Sequence, residues 1–230
     1  MTKTEIIKGK VKTVFTTDDP NKVLIQYENK VTAGNGEKES IVEDKGRICC
    51  EISSIIFKKL EEEGINTHYL DTFPVSIMSC KRVNIIPLEV IVRNISAGSI
   101  CRQTTIPEGK LFMSPLVEFH LKDDSKDDPL LTYDRMKLMG YDPEEFIGTA
   151  LEINRHLIKI FYNIGFDLVD FKIEFGDDSE GNLLLADEIS PDSCRLWKTG
   201  TKENFDKDLF RNDNGDIISA YTHILNELRR

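Results

Sequence analysis

The chain has 230 residues, of which 40% are hydrophobic and 30% are charged, and its formal net charge is −10. This balance is typical of a globular protein with one large or two small domains. The acidic charge argues against a general nucleic-acid-binding protein, which needs a basic face for phosphate contacts. No segment approaches the roughly 20 apolar residues of a membrane span. The N-terminal MTKTEIIKGK lacks the apolar region of a signal peptide.

The cysteine pattern predicts free thiols. The chain has five cysteines, an odd number, and no CxxC pair occurs. Neither a disulfide framework nor a zinc site fits this pattern, so we expect a cytoplasmic protein in a reducing compartment.

The N-terminal third is predicted to be rich in strands. We expect strands at Lys8–Phe15 and Lys22–Tyr27, with Lys10 and Lys12 on one face of the first. A glycine-rich loop, Thr32–Ser40, follows. A lysine-bearing hairpin beside a glycine loop can cover phosphates. A solvated edge hairpin explains the same pattern, since neither a Walker A loop nor GxGxxG is present.

A helix and two further strands complete this region. The helix is expected at Glu43–Glu63, and its core stripe consists of Ile48, Ile52, Ile55, Ile56 and Leu60. The strands are expected at Phe73–Arg82 and Leu88–Ile95. The Asn84–Pro87 bend between them is either a hinge whose backbone pairs with an adenine edge or an ordinary turn.

The strand Leu88–Ile95 leads through Arg93 into the small-residue turn Ser96–Ser99. An arginine fork and exposed backbone N–H groups can bind an anion. The alternative is a capped strand end with a surface arginine. Arg195, far along the chain, could reach the same anion.

The middle of the chain carries a charged loop and two helices. Lys122–Pro129 is expected to be largely a solvated connection. A short helix is expected at Thr132–Met139, and a long helix begins at the N-cap Asp142 and ends at Gly165. Its predicted core stripe is Phe146, Ala150, Ile153, Leu157, Ile158 and Phe161. A final amphipathic helix is expected at Asp216–Leu228.

A charged hairpin is the most informative stretch. Leu168–Gly176 alternates apolar and charged residues, and a second strand is expected at Leu183–Ile189. With a tip at Glu180–Gly181, Glu174 lies directly opposite Asp187. Like charges at that spacing repel unless a cation lies between them, and Mg²⁺ is usually held by one or two carboxylates plus substrate phosphates. The hairpin therefore indicates a metal platform for a phosphorylated ligand, or else a surface hairpin with scattered charges.

We expect two lobes, residues 1–86 as a strand-rich nucleotide lobe and residues 87–230 as a larger α+β lobe. The site is expected in the cleft between them, where ligand pockets commonly form.

Several runs resemble one known family. IIPLEVIVRNISAGS (85–99) and LVDFKIEFG (168–176) resemble signatures of the phosphoribosylaminoimidazole-succinocarboxamide synthase (SAICAR synthetase) family, as do GKVKTVF, TAGNGEK and DEISPDSCRLW. The resemblance spans nearly the whole chain. It implies a two-lobed α+β fold whose antiparallel-sheet nucleotide lobe is similar to that of kinases. It also implies a homodimer.

The same resemblance implies an ATP-dependent, Mg²⁺-requiring ligase of de novo purine biosynthesis. This ligase joins L-aspartate to the carboxylate of 5-amino-1-(5-phosphoribosyl)imidazole-4-carboxylate (CAIR) through an acyl phosphate, giving SAICAR, ADP and phosphate. Two alternatives remain open: a small-molecule kinase that stops after phosphoryl transfer, and a non-catalytic nucleotide-binding protein.

The resemblance also assigns residues. The ATP-binding residues would be Lys10, Lys12, Arg82, Ile85 and Lys122. The CAIR-binding residues would be Arg93, Ser99, Arg195, Asp170 and Lys172. The Mg²⁺ ligands would be Glu174 and Asp187. The catalytic residues would be Lys12, Asp170 and Lys172. Asp128 lies in a charged loop that resembles the family's, as Lys122 does.

The sequence departs from the family pattern at two places. Lys30 and Val31 stand before the TAGNG loop, where the family usually has an acidic residue. Lys198 follows RLW, where the family often has Asp. The first departure bears on the ligand contacts of the loop, and the second on a surface contact.

Overall fold

The structure is a computed structural model that describes residues 4–74 and 76–230. Within these ranges the chain forms fourteen strands and six α-helices. The strands are β1 (Glu5–Lys8), β2 (Lys12–Thr16), β3 (Lys22–Tyr27), β4 (Lys30–Ala33), β5 (Lys38–Ile41), β6 (Tyr69–Phe73), β7 (Ile77–Lys81), β8 (Asn84–Ile85), β9 (Leu88–Ile95), β10 (Leu111–Leu121), β11 (Leu130–Leu131), β12 (Phe166–Asp177), β13 (Leu183–Ala186) and β14 (Cys194–Lys198). The helices are α1 (Lys45–Glu62), α2 (Ser99–Gln103), α3 (Tyr133–Leu138), α4 (Pro143–Asn163), α5 (Asp208–Arg211) and α6 (Ile217–Leu228).

The strands form three antiparallel sheets. A five-stranded sheet has the order β1-β2-β3-β7-β6, and β4 pairs with β5 alone. A seven-stranded sheet has the path β11-β10-β9-β12-β13, and β14 and β8 also pair with β12. Helices α1 and α4 pack against these sheets, and α6 packs on α1. The predicted α+β class is confirmed.

Strand β12 is the centre of the larger sheet. Its first half lies between β9 and β14, and its second half pairs with β8 and β13. Phe171, Ile173 and Phe175 on one face are buried in the main core, whereas Val169, beside a register irregularity, packs in a separate small cluster with Ala97 and Trp197. The opposite face carries the predicted charged residues, and much of that face is covered as well. Charge placed there must therefore be paired.

The strand β8 approaches β12 closely because residue 176 is glycine. A Cβ at Gly176 would lie 2.8 Å from Cγ2 of Val83 and 3.0 Å from the carbonyl oxygen of Asn84. Any larger residue would push the bend away from β12.

The hydrophobic core is continuous across residue 86. One cluster joins Val23 and Ile52 from the first lobe with Phe175 and Ile224 from the second. The boundary therefore does not separate two cores, and the two-lobe division at residue 86 stays a prediction.

The helices agree closely with the predictions. α4 begins after Asp142, whose carboxylate accepts from the amide of Glu144 at 3.1 Å. In α1 the predicted stripe faces the core. Ile158 is an exception to the α4 stripe, since its side chain is 39% exposed. It lies about 100° around the helix from Leu157, at the edge of the buried face.

Several strand predictions are wrong. Lys8–Phe15 is two strands, since the chain turns back after Lys8 and the amide of Gly9 donates to the carbonyl of Lys12 at 2.8 Å. Lys10 therefore lies in a turn rather than on a strand face with Lys12. Thr32–Ser40 is largely the hairpin of β4 and β5.

Two further strand boundaries differ. The strand expected at Phe73–Arg82 includes residue 75, which lies outside the described residues, and its regular part begins at Ile77. Phe73, the first residue of the predicted strand, is the last residue of β6. Strand β13 ends at Ala186 rather than at Ile189.

Candidate active site

Lysines and carboxylates from distant parts of the chain meet beside the second half of β12. We call this set the lysine–carboxylate cluster; it consists of Lys12, Lys122, Lys172, Glu89, Glu174, Asp187 and Glu188. The ammonium of Lys12 contacts Asp187 and lies 3.0 Å from Glu188.

Two more lysines complete the cluster. Nζ of Lys172 lies 2.7 Å from Glu89 and 2.9 Å from Glu174, and Lys122 contacts the other oxygen of Glu174. Lysines from three separate segments therefore pair with carboxylates on β9, on β12 and directly after β13.

The cluster is partly desolvated, yet Lys12 and Asp187 stay ionised. Burial acts to raise the pKa of Asp187, but the ammonium groups of Lys12 and Lys172 outweigh it and hold the pKa below its usual range. Burial acts to lower the pKa of Lys12, but Asp187 and Glu188 outweigh it and raise that pKa. Both groups are therefore charged at neutral pH, as interacting ions in a low-dielectric site must be to remain paired.

The predicted register of the charged hairpin is wrong by one residue. Glu174 lies opposite Ala186, not Asp187. The amide of Asp178 donates to the carbonyl of Asn182 at 3.1 Å, so the loop holds three residues instead of two. Asp187 follows the last residue of β13 and has a φ of 60°, a left-handed conformation that aspartate tolerates better than most residues.

A second charged group lies beside the first half of β12. We call it the arginine cluster; it consists of Arg93, Arg195, Ser99, Asp170, Glu118 and Asp208. Nη1 of Arg93 donates to Oδ2 of Asp170 at 2.9 Å, and Nη2 donates to the hydroxyl of Ser99 at 2.8 Å. Nη1 of Arg195 donates to the same oxygen of Asp170.

The sheet itself builds the centre of the arginine cluster. Asp170 on β12 is directly opposite Arg93 on β9 and directly opposite Arg195 on β14. Opposed side chains on one face are close neighbours, so the strand register alone brings the three charges together.

Gly98 gives Arg195 access to the turn before α2. Its φ is +66°, and a Cβ there would lie 2.7 Å from Nη2 of Arg195. A glycine is required both by the conformation and by the approach of the guanidinium.

The short strand β8 has a distinct backbone geometry. The amide of Ile86 donates to the carbonyl of Phe175 at 2.9 Å, and Ile85 lies opposite Gly176. Because hydrogen-bonded and non-bonded pairs alternate along an antiparallel ladder, the amide and carbonyl of Ile85 point away from β12. The amide of Arg82 donates to the carbonyl of Asn21 at 2.7 Å.

A buried ion pair supports the loop between β13 and β14. The ammonium of Lys45, at the start of α1, contacts Asp192 and donates to the carbonyl of Lys30 at 3.0 Å. The hydroxyl of Tyr221 donates to Asp192 at 2.8 Å. The same loop supplies the carbonyl of Ser193 to the amide of Lys172 at 2.8 Å, so it is tied directly to β12.

The SAICAR synthetase family model matches residues 5–228 of this chain. The chain belongs to the SAICAR synthetase family. A phosphoribosylaminoimidazole-succinocarboxamide synthase of Staphylococcus aureus (strain MRSA252) is 45% identical over 229 residues, with 98% of each chain covered.

Solved structures of the family share the fold. A SAICAR synthetase in complex with ADP matches with a TM-score of 0.93 and 38% identity over 96% of each chain. The phosphoribosylaminoimidazole-succinocarboxamide synthase of Ehrlichia chaffeensis matches with a TM-score of 0.95 and 36% identity over 98% of each chain. The predicted family and its α+β fold are therefore confirmed.

The residues predicted from the SAICAR synthetase signatures fall into three places. The lysine–carboxylate cluster contains Lys12, Lys122, Lys172, Glu174 and Asp187. The arginine cluster contains Arg93, Ser99, Asp170 and Arg195. The residues outside both are Lys10, which lies 2.8 Å from Asp124, and Arg82 and Ile85, which are exposed around β8. Their individual roles stay predictions.

Four members of the clusters were not predicted: Glu89, Glu118, Glu188 and Asp208. Glu188 directly follows Asp187, and Glu89 lies within the IIPLEVIVRN run, so two of them stood inside recognised motifs. Glu118 lies on β10 and Asp208 on α5, and neither element has a motif in the sequence that predicts it.

The oxygen donors suit a hard divalent cation, although three side chains do not converge. Across residues 4–74 and 76–230, no group of three His, Cys, Asp or Glu side chains is placed to hold a metal ion. Glu174 and Asp187 supply carboxylate oxygens of the kind that Mg²⁺ prefers, and ammonium groups now contact both. Cationic partners at these oxygens show that the position favours positive charge.

No helix in the described ranges is long and apolar enough to cross a membrane.

Proposed function

We propose that this chain joins L-aspartate to the carboxylate of CAIR in an ATP-dependent reaction that gives SAICAR, ADP and phosphate. The predicted enzyme class is confirmed by family membership, and the relative from Staphylococcus aureus is named for this synthase activity. The ADP complex of a relative supports nucleotide use.

The observation that carries the proposal is that two charge clusters share one face of β12. Asp170 belongs to the arginine cluster, and Lys172 and Glu174 belong to the lysine–carboxylate cluster. At a rise of about 3.3 Å per residue, Asp170 and Glu174 are roughly 13 Å apart along the strand. A phosphorylated ribose that carries an imidazole can extend along such a face, with its phosphate at the arginines and its carboxylate at the lysines.

The reaction needs an activated carboxylate, since oxide is a very poor leaving group. Transfer of the γ-phosphoryl group forms a P–O bond to a CAIR carboxylate oxygen and breaks the bond to ADP. The aspartate amine then attacks the carboxyl carbon, phosphate leaves, and the nitrogen loses a proton. Lys12 and Lys172 hold positive charge where the transferred group gains negative charge, which is how phosphoryl transfer is mainly catalysed.

Mg²⁺ would be held by Glu174 and Asp187. Once bound, it would neutralise charge on the phosphate oxygens of ATP. The lysines that contact these carboxylates would then turn toward the phosphates, because Mg²⁺ would neutralise Glu174 and Asp187 in their place.

The nucleotide would lie beside β8 and the β1–β2 turn. The outward amide and carbonyl of Ile85 offer a donor and an acceptor to an adenine edge, with Arg82 beside them. Lys10, Lys12 and Lys122 would contact the phosphates. This arrangement puts ATP between the lobes 1–86 and 87–230.

The setting of the enzyme follows from other features. All five cysteines are free thiols, which supports a cytoplasmic location in a reducing compartment. The family resemblance supports a homodimer.

The decisive experiment measures ADP release from Mg-ATP and CAIR, with and without L-aspartate, together with mass detection of SAICAR. ADP and SAICAR that appear together and depend on aspartate would establish the ligase. ADP release without aspartate and without an amide product would favour a kinase. ATP binding with no turnover under any combination would favour a non-catalytic nucleotide-binding protein.

A further inference from the structure

The two arginines of the arginine cluster are held in the same way. Each donates Nη1 to Oδ2 of Asp170, and each donates Nε to a carboxylate of its own. For Arg93 that carboxylate is Glu118 on β10, and for Arg195 it is Asp208, at a distance of 2.7 Å. A guanidinium is a planar fork of five N–H donors, so bonds at Nε and Nη1 fix its plane and its direction.

The outer carboxylate of Arg195 is itself anchored. The amide of Asp208 donates to the carboxylate of Asp206 at 2.7 Å, and that carboxylate also accepts from the amide of Leu196 at 2.8 Å. Leu196 is the neighbour of Arg195 on β14. The position of Asp208 is therefore tied to the strand that carries the arginine it holds.

These bonds leave the Nη2 groups directed at one place. Nη2 of Arg93 reaches Ser99, and Nη2 of Arg195 lies against Gly98. Both donors thus meet the turn that precedes α2, at the end of the sheet face described above.

We propose that Asp170, Glu118 and Asp208 are positioning residues that preform Arg93 and Arg195 as a clamp for the phosphate monoester of the substrate. The proposal rests on the proposed function and deepens it. It gives Asp170 a role through the arginines, in place of the direct CAIR-binding and catalytic roles that the resemblance implies, since both guanidiniums donate to the same Asp170 oxygen.

Net charge does not account for phosphate affinity at the clamp, because the positive and negative side chains there balance. Arg93, Arg195 and Arg211 face Asp170, Glu118 and Asp208, and Arg211 contacts Asp208. Affinity for a phosphate dianion must then come from donors held in the right direction. This leads to opposite expectations for the two explanations. If net charge set affinity, removing a carboxylate would tighten binding; if orientation sets it, the same removal weakens binding.

The test compares acceptor-retaining and acceptor-free substitutions at the two outer carboxylates. Asp208→Ala and Glu118→Met remove both the negative charge and the oxygen that accepts from the arginine Nε. We expect each to raise KM for CAIR about tenfold or more, because the free energy of a hydrogen bond to a charged group corresponds to a factor of that size. Asp208→Asn and Glu118→Gln keep an acceptor oxygen, and we expect a rise of only about two- to threefold. KM for ATP and for L-aspartate should stay within about twofold of wild type.

A second arm tests whether Asp208 acts through Arg195. In an Arg195→Met background, Asp208→Ala should raise KM for CAIR no further, as expected for residues that act as one unit. Glu203→Ala, which removes an exposed carboxylate 3.7 Å from Lys198, is the matched control and should change no KM. Calorimetric binding of CAIR without ATP gives the same comparison independently of turnover.

Several results would overturn the clamp. A lower KM for CAIR in both Asp208 variants would favour net charge. Equal changes in all three KM values would indicate a general structural role, and no change in Asp208→Ala would remove the role altogether. If Glu118→Met does not fold, the Asp208 pair decides alone. If the wild-type enzyme makes SAICAR and Asp208→Ala binds CAIR normally, the clamp is contradicted and the proposed function stands. If the wild-type enzyme makes no SAICAR, the proposed function is contradicted.

Discussion

Glu174 is only 2% exposed, yet it contacts two ammonium groups. We expect Glu174→Gln to lower turnover by at least about tenfold when Mg²⁺ is limiting, since a metal site that loses one anionic ligand binds more weakly. Steady-state rates against Mg²⁺ concentration would measure this. Glu180→Gln, in the exposed loop of the same hairpin, should behave as wild type. Near-normal activity of Glu174→Gln at limiting Mg²⁺ would contradict the metal assignment.

His68 makes the stability of the fold sensitive to mild acid. Its ring lies 5.3 Å from the ring of Phe57, and its Nε2 lies 3.7 Å from Sγ of Cys80. Burial lowers the pKa of His68 from 6.5 to about 4. Between these values the unfolded chain binds a proton that the folded chain does not, so stability falls as pH drops from about 6.5 to about 4.

We therefore expect His68 alone to cost about 2 kcal/mol of unfolding free energy between pH 7.5 and pH 5. Urea unfolding at both pH values would measure it. His68→Gln should be less stable than wild type at pH 7.5, with a smaller deficit at pH 5. A deficit for His68→Gln that is equal at both pH values would show that His68 does not titrate in this way.

At the scale of elements, the contact between β8 and β12 links the proposed adenine position to the central strand. Gly176→Ala places a methyl group 2.8 Å from Val83, which must displace the β8 bend. We expect KM for ATP to rise about tenfold while KM for CAIR changes little, because the arginine cluster lies at the other end of β12. The overpacking should also cost about 1–3 kcal/mol of stability.

The matched control for that substitution is Gly148→Ala in α4. A Cβ at Gly148 meets no atom within 4 Å, and alanine favours a helix by up to about 1 kcal/mol over glycine. It should keep wild-type kinetics and slightly raise stability. Equal effects of Gly176→Ala on the KM values for ATP and CAIR would argue against a nucleotide role for β8.

The elements also show how far a sequence can predict this structure. α4 and α6 are readable because their signals are local: an aspartate N-cap and an apolar stripe on one face. The predicted hairpin register is wrong because the hydrogen bond between Asp178 and Asn182 closes a three-residue loop instead of a two-residue loop. One extra loop residue shifts the register by one and gives every residue of the hairpin a different cross-strand partner.

The site shows the same division. Arg93, Lys172 and Glu174 stand in recognisable motifs and were predicted. Glu118 could not be, because the order β10-β9-β12-β14 brings it to Arg93, and Asp208 could not be, because it reaches Arg195 from α5 through the contacts of Asp206. No local pattern encodes that order.

For the molecule as a whole, the continuous core predicts one cooperative unit rather than two. We expect residues 87–230 produced alone to show no cooperative thermal transition, because the fragment lacks α1, which packs on α6, and lacks the Lys45 partner of buried Asp192. An unpartnered buried charge is strongly destabilising.

Calorimetry of the fragment and of the full chain would check this expectation. The full chain should melt in a single transition. Two separated transitions in the full chain, or a folded fragment 87–230, would show that the lobes are independent folding units.

The row Arg93–Asp170–Arg195 has a consequence for how the enzyme is made. Its members lie on β9, β12 and β14, and β14 leaves the ribosome after most of the chain. A nascent chain that ends before Cys194 has the first arginine and the aspartate but lacks the second arginine, so it lacks the proposed phosphate clamp. Under that proposal, the substrate would stabilise only chains in which β14 has already paired with β12 in register, and not shorter ones.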